Sequence, residues 1–79
     1  MRPDDVLLWL RAAPFQPFRI VLNSGRTYTV RHPEMLRVGC TSVHFFWFAG
    51  EPVDPYERVE MFSLLLIERI EPVEAAAPA

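Results

Sequence analysis

The sequence predicts a mainly β domain with one N-terminal helix, and three observations carry this prediction. Apolar residues recur at helical spacing only before Pro14, they alternate with polar ones from Phe18 onward, and turn-forming residues separate the alternating runs. We expect a helix over about residues 4–12 and five short strands over about residues 18–73. A strongly bent antiparallel sheet or small barrel would protect the strand edges, and the alternative is an open antiparallel sheet with the helix packed on one face.

The helix is indicated by Val6, Trp9 and Leu10, whose spacing places them on one face. Asp4 or Asp5 is expected to cap its first turn, because a carboxylate there accepts from unpaired amides and suits the helix dipole. The prolines that follow residue 13 end the helix, since proline lacks the amide donor. The apolar face needs cover, so we expect the helix to dock on the sheet.

The clearest hairpin joins the alternating runs 18–23 and 27–31, with Asn23-Ser24-Gly25 supplying the turn between them. His32-Pro33-Glu34 interrupts the second run. We expect this second strand to continue to Val38 after a bulge or bend, which makes it long and kinked.

The next strand, over residues 42–48, is apolar on both faces. Its alternating sets are Val43, Phe45 and Trp47 on one face, and His44, Phe46 and Phe48 on the other. One face should meet the core, and the other needs either the helix or a partner. Phe46 and Phe48 are therefore the predicted contacts with a partner protein.

For the last third of the chain we expect a loop over residues 49–57, strands over 58–65 and 67–73, and a frayed tail over 74–79. The last two strands must be joined by a tight turn, because no glycine, proline or polar residue separates them. No repeat or linker divides the chain, so we expect a single domain over residues 1–79.

The composition predicts self-association. Apolar residues make up 51% of the chain, and its aromatic residues comprise six phenylalanines, two tyrosines and two tryptophans. So small a domain cannot bury all of these apolar side chains. Pairing with another copy or with a partner protein would cover those that remain exposed. We expect a homo-oligomer that also contacts another protein.

The charges give a second, RNA-binding hypothesis. All eight basic residues are arginines and the net charge is -2, so binding of a polyanion requires arginines gathered on one face. Arg26, Arg31 and Arg37, with Tyr28 among them, are the candidate nucleic-acid contacts. The competing interpretation, which we favour, is a solvated strand face with Tyr28 in the core.

No enzyme, cofactor or metal site is predicted. Cys40, His32 and His44 are the only residues that could start a nucleophile–base pair or a soft-metal site, and a structural zinc site needs more ligands than these at closed spacing. The glycines stand alone, which excludes a glycine-rich phosphate loop.

A cytoplasmic location is expected, without membrane association. A lone cysteine cannot form an intramolecular disulfide, which fits a reducing compartment. The apolar run Val6 to Leu10 is too short for a signal sequence or a membrane span.

The chain resembles two groups of known proteins. The stretch Pro14 to Ile20, followed by Gly25-Arg26 and His32-Pro33-Glu34, resembles a family of short uncharacterised bacterial proteins of planctomycete-type genomes, which implies no activity.

The layout of Ile20, Leu22, Tyr28 and Ile67 to Val73 is similar to the Sm-like barrels of the Lsm and Hfq proteins. The second resemblance, like that to SH3-like barrels in general, implies a small barrel of bent strands, and Sm-like proteins assemble into RNA-binding rings. Leu36 stands where that family's RNA-binding asparagine is sought, and Glu60-Met61-Phe62 replaces the lysine–histidine pair of its bacterial branch. The sequence therefore predicts a non-enzymatic binding or assembly module, with an Sm-like RNA-binding ring as the alternative.

Overall fold

The computed structural model describes residues 1–50 and 55–73. The elements in chain order are helix α1 (Pro3–Leu10) and strands β1 (Phe18–Leu22), β2 (Thr27–Val30), β3 (Leu36–Val38), β4 (Ser42–Phe48), β5 (Tyr56–Ser63) and β6 (Ile67–Pro72). Two 3-10 turns, Pro33–Met35 and Leu64–Leu66, precede β3 and β6. The predicted mainly β fold with one N-terminal helix is confirmed.

The strands form two antiparallel sheets of three strands each, in the orders β2-β1-β6 and β3-β4-β5. This differs from the expected single sheet of five strands, and the described strands do not close into a barrel. The expected long second strand is two strands, because the 3-10 turn Pro33–Met35 separates β2 from β3 and places them in different sheets. Pro33 has no amide to continue a strand ladder, which explains the break there.

The first hairpin has the predicted turn. In it, the Leu22 amide donates to the Arg26 carbonyl and the Gly25 amide to the Leu22 carbonyl, both at 2.9 Å. Gly25 has φ +95°, a conformation that glycine adopts without the steric cost of a Cβ. The turn fixes the register in which Phe18 pairs with Val30 and Ile20 with Tyr28.

Helix α1 is slightly shorter than expected and begins earlier. Its N-cap is Arg2, so the expectation that Asp4 or Asp5 occupies the cap is wrong. Asp5 instead lies in the first turn and accepts a hydrogen bond from the Arg2 amide at 3.1 Å. Both carboxylates still lie at the positive end of the helix dipole.

A single core joins the helix to both sheets. Val6 of α1 is fully buried in it, and Trp9 packs against Phe18 of β1 with ring centroids 5.7 Å apart. The fully buried members of this core are Val6, Phe18, Ile20, Val30, Leu36 and Val43. The helix therefore docks on the sheets as expected, and the two sheets share one interior.

The last elements of the chain have the predicted types, but their bounds differ from the predicted ones. The tight turn expected before the final strand is the 3-10 turn Leu64–Leu66, in which the Ser63 Oγ accepts from the Leu65 amide at 3.1 Å. Strand β5 begins at Tyr56, within the segment expected to be a loop. The expected frayed tail 74–79 lies outside the described residues, as do residues 51–54 of that loop. No helix in the described part of the chain has the length and apolar character to cross a membrane.

Candidate protein-interaction surface

The candidate interaction surface is the side of the β3-β4-β5 sheet that faces away from the core, which we name the outer face. Directly paired residues of antiparallel strands share a face, and so do residues two apart in one strand. His44 pairs with Arg37 and Met61, and Phe46 pairs with Val59. With the pair Phe48 and Tyr56, the outer face comprises Arg37, His44, Phe46, Phe48, Tyr56, Val59 and Met61.

The opposite side of the same sheet meets the core. Val43 and Phe45 are buried, Trp47 is half-buried against them, and Phe62 of β5 is buried as well. The predicted alternation of residues 42–48 is therefore confirmed, and Val43, Phe45 and Trp47 form the side that meets the core.

The outer face exposes large apolar side chains on β5. Tyr56 is 56% exposed, Val59 39% and Met61 65%. Each of these side chains leaves apolar area in water that burial would remove favourably. Their position in one sheet beside two phenylalanines makes a patch, whereas isolated apolar residues on a surface need no explanation.

Phe46 and Phe48 form the centre of this patch. Their rings stack with centroids 6.4 Å apart and an interplanar angle of 22°. The Tyr56 ring meets Phe46 edge-on at 5.4 Å. Both phenylalanines are half-buried, and neither belongs to the core cluster on which α1 packs through Val6, Trp9 and Leu10. The predicted partner contacts Phe46 and Phe48 therefore lie together on a face that the helix does not use.

Strand β5 is also an edge. Within the described residues it pairs with β4 only, in a register shifted by a bulge near Tyr56 and regular from Arg58 to Ser63. An edge strand presents backbone donors and acceptors that another strand can use. Apolar surface and an edge without a partner among the described strands thus coincide on β5.

The core side of β5 carries a polar junction between the two sheets. The Glu60 carboxylate Oε1 accepts from the Tyr28 hydroxyl at 2.8 Å and from Arg26 Nη2 at 3.0 Å, and both donors belong to the first hairpin. The Tyr28 hydrogen bond, helped by Arg26 and Arg58, lowers the pKa of Glu60 below its ordinary value. Burial and the hydrogen bond to Glu60 raise the pKa of Tyr28.

Arg58 lies beside this junction. Its guanidinium stacks over the Trp47 ring at 3.9 Å from the centroid, and its Nη2 is 3.9 Å from Glu60 Oε2. Stacking on an aromatic face restricts the guanidinium and favours its charge. Strand β5 therefore bears an arginine that is stacked on Trp47 and lies next to a carboxylate.

The predicted nucleic-acid contacts fall into two groups, and in the first of them Arg26 lies over the Tyr28 ring at the Glu60 carboxylate. Tyr28 is 4% exposed and packs among Phe45, Trp47 and Phe62, which agrees with its predicted place in the core and leaves its ring unavailable for stacking a base. Arg26 is held by Glu60.

Arg31 and Arg37 are exposed and flank the 3-10 turn Pro33–Met35. Neither forms an ion pair with another residue in the described ranges 1–50 and 55–73. Arg37 and Arg11, a residue outside the predicted set, line one groove between α1 and β3. This groove, which two arginines line, is the location in the fold that the RNA hypothesis can use.

The residues considered for metal or nucleophilic chemistry are not gathered. Among residues 1–50 and 55–73, no three His, Cys, Asp or Glu side chains are close enough to hold a metal ion together. Cys40 is exposed, and His44 lies on the outer face opposite Met61.

Sequence reasoning missed Tyr56, Val59, Met61 and Glu60. Val59 and Met61 lie two positions apart and share one strand face, whereas Tyr56 lies in the segment predicted to be a loop and joins that face only through the bulge beside it. The register with β4 was needed to place all three near Phe46. Comparison of the chain with protein-family models, curated proteins and solved structures found no match.

Proposed function

We propose that this chain is a non-enzymatic assembly module that associates with itself through β5 and the outer face, and that contacts another protein there through Phe46 and Phe48. The observation that supports the proposal best is the coincidence of exposed apolar side chains, Tyr56, Val59 and Met61, with a strand edge that no other described strand pairs with. Aromatic residues and methionine are enriched at the buried centres of protein interfaces.

A finer architecture belongs to the same proposal. We infer that the two sheets are halves of one strongly bent small barrel of the Sm-like or SH3-like kind. This is supported by the shared core and by the short 3-10 turn that joins β2 to β3. A cytoplasmic location also remains a proposal, motivated by the lone cysteine Cys40.

The test is the oligomeric state of Met61→Glu. Size-exclusion chromatography with light scattering should give the wild-type chain a mass at micromolar concentration that is a multiple of the 9.2 kDa protomer. A carboxylate at Met61 would have to be desolvated in the interface, so this variant should elute as a monomer.

Leu8→Glu is the matched control, because Leu8 is 74% exposed on α1, which is not part of the β3-β4-β5 sheet. It should keep the wild-type mass. A monomeric wild-type chain, or equal effects of the two substitutions, would contradict the proposal.

The alternative is an Sm-like RNA-binding ring, favoured by the exposed Arg31 and Arg37 and by the groove that Arg37 shares with Arg11. It requires binding to single-stranded RNA that weakens as salt rises and after Arg31→Ala or Arg37→Ala. Arg69→Ala is the control of equal charge, since Arg69 is engaged by Glu68 and Glu71. Absence of RNA binding in fluorescence anisotropy at low salt would eliminate this alternative.

A further inference from the structure

The order of the charged residues on β5 indicates which strand can pair with its edge. Natural edge strands use charges and bulges to prevent pairing with other chains. In β5 the bulge is confined to the region of Tyr56, and the regular part begins with Arg58-Val59-Glu60. An apolar residue between opposite charges is a self-complementary order for an antiparallel pair.

We propose that β5 pairs antiparallel with β5 of a second copy around a two-fold axis, with Val59 facing Val59 of that copy. This rests on the proposed self-association and specifies its geometry. With Val59 at the axis, Arg58 of each chain lies opposite Glu60 of the other. Two opposite-charge pairs then flank one apolar contact, and each is of the kind that stabilises neighbouring strands.

The neighbouring symmetric registers are worse. A two-fold axis perpendicular to the sheet places one residue opposite its own copy, so each register is named by that residue. The axis at Arg58 opposes two guanidiniums and the axis at Glu60 opposes two carboxylates, both unfavourable. The axis at Met61 places Glu60 opposite Phe62 and makes no charge pair. The order of charges therefore selects the register at Val59.

The local geometry leaves Glu60 able to receive the second arginine. Its Oε1 is occupied by Tyr28 and Arg26, while the contact of Oε2 with Arg58 of the same chain, at 3.9 Å, is too long for a hydrogen bond. A carboxylate has about four acceptor sites, so Oε2 can accept from Arg58 of the second copy. Stacking on Trp47 holds Arg58 on the same side of the sheet.

The pairing also accounts for exposed apolar area. It joins two β3-β4-β5 sheets into one continuous sheet and removes the β5 edge from water. On the outer face, Val59 of one chain contacts Val59 of the other, and the same register places Met61 opposite Glu57, the bulge residue, of the second copy.

The decisive experiment mixes two variants that cannot pair with themselves. Arg58→Glu places carboxylates opposite one another in a homodimer, and Glu60→Arg places guanidiniums opposite one another. Each should be monomeric alone by sedimentation equilibrium. An equimolar mixture should form a heterodimer, because each chain then offers the charge that the other lacks.

A disulfide probe tests the same register without touching Glu60. In a Cys40→Ser background, Val59→Cys should form a covalent dimer on mild oxidation, because its Cα atoms would lie about 4.5–5.5 Å apart. Met61→Cys is the control, since the two copies of residue 61 would be about 14 Å apart along the strands. Circular dichroism checks that Glu60→Arg still folds, and the disulfide result decides the register if it does not.

The outcomes distinguish failure of the Val59 register from failure of self-association. A mixture that stays monomeric, or cross-linking at Met61→Cys equal to that at Val59→Cys, overturns the Val59 register while a wild-type oligomer preserves self-association. A wild-type chain that is monomeric overturns both.

Discussion

Glu60 connects the two sheets through a single carboxylate oxygen. Tyr28 and Arg26, its two donors, lie 32 and 34 positions away in the sequence, so no local pattern could indicate the contact. The sequence did indicate that Tyr28 points into the core, because alternation within β2 determines its face. It could not indicate where the hydroxyl finds its acceptor, since that depends on how the sheets pack.

The depressed pKa of Glu60 predicts a loss of stability in acid. The pKa lies below the ordinary 4.5, so the ionised form is favoured in the folded chain and its contribution is complete above the unfolded pKa. As the pH falls from about 5 through the folded pKa, protonation removes that contribution. Urea unfolding across this range should show wild-type stability declining more steeply than that of Glu60→Gln.

Tyr28→Phe is the companion variant, because it removes the hydrogen bond that contributes most to the lowered pKa of Glu60, and its stability should also decline less steeply than that of the wild type. Glu71, whose pKa is lowered by hydrogen bonds from Arg69 and Arg19, adds a decline that both variants retain. Parallel curves for wild type and Glu60→Gln would contradict the assigned role of Glu60.

At the level of elements, periodicity predicted the types of α1 and the first strands better than it predicted the boundaries of the elements. Helical spacing before Pro14 and alternation from Phe18 identified α1 and the first hairpin, because one side of each is buried. The division of the expected second strand into β2 and β3 followed from Pro33, whose presence indicated a bend. Whether a chain bends within one sheet or leaves it depends on the packing of the two sheets, which no local pattern specifies.

Leu36 shows how an eight-residue helix and a three-residue strand hold together. It is fully buried on β3, next to the groove that α1 lines with Leu7 and Leu10. Leu36→Ala should lower the free energy of unfolding by about 2–5 kcal/mol, through lost burial and the cavity left behind. Chemical denaturation measures this.

Leu65→Ala removes the same atoms at a position that is 81% exposed in the turn Leu64–Leu66, and should change stability by less than about 0.5 kcal/mol. Comparable losses at the two positions would mean that Leu36 does not hold α1 and β3 on the core.

For the whole molecule, the sequence indicated that too many aromatic residues were present for one small core. The fold gives that surplus a location, the outer face, and places Phe46 and Phe48 there together. The exposed residues of β5 were not predicted, because the face of the sheet on which they lie depends on the register with β4. That register follows from contacts between strands and not from either strand alone.

Self-association through β5 is best tested by amide hydrogen exchange of the wild-type chain as a function of its concentration. If a second copy covers β5, amides in Tyr56–Ser63 should exchange more slowly as concentration rises, while those of β2 stay unchanged. Exchange in β5 that is independent of concentration, or new protection confined to other strands, would contradict self-association through this edge.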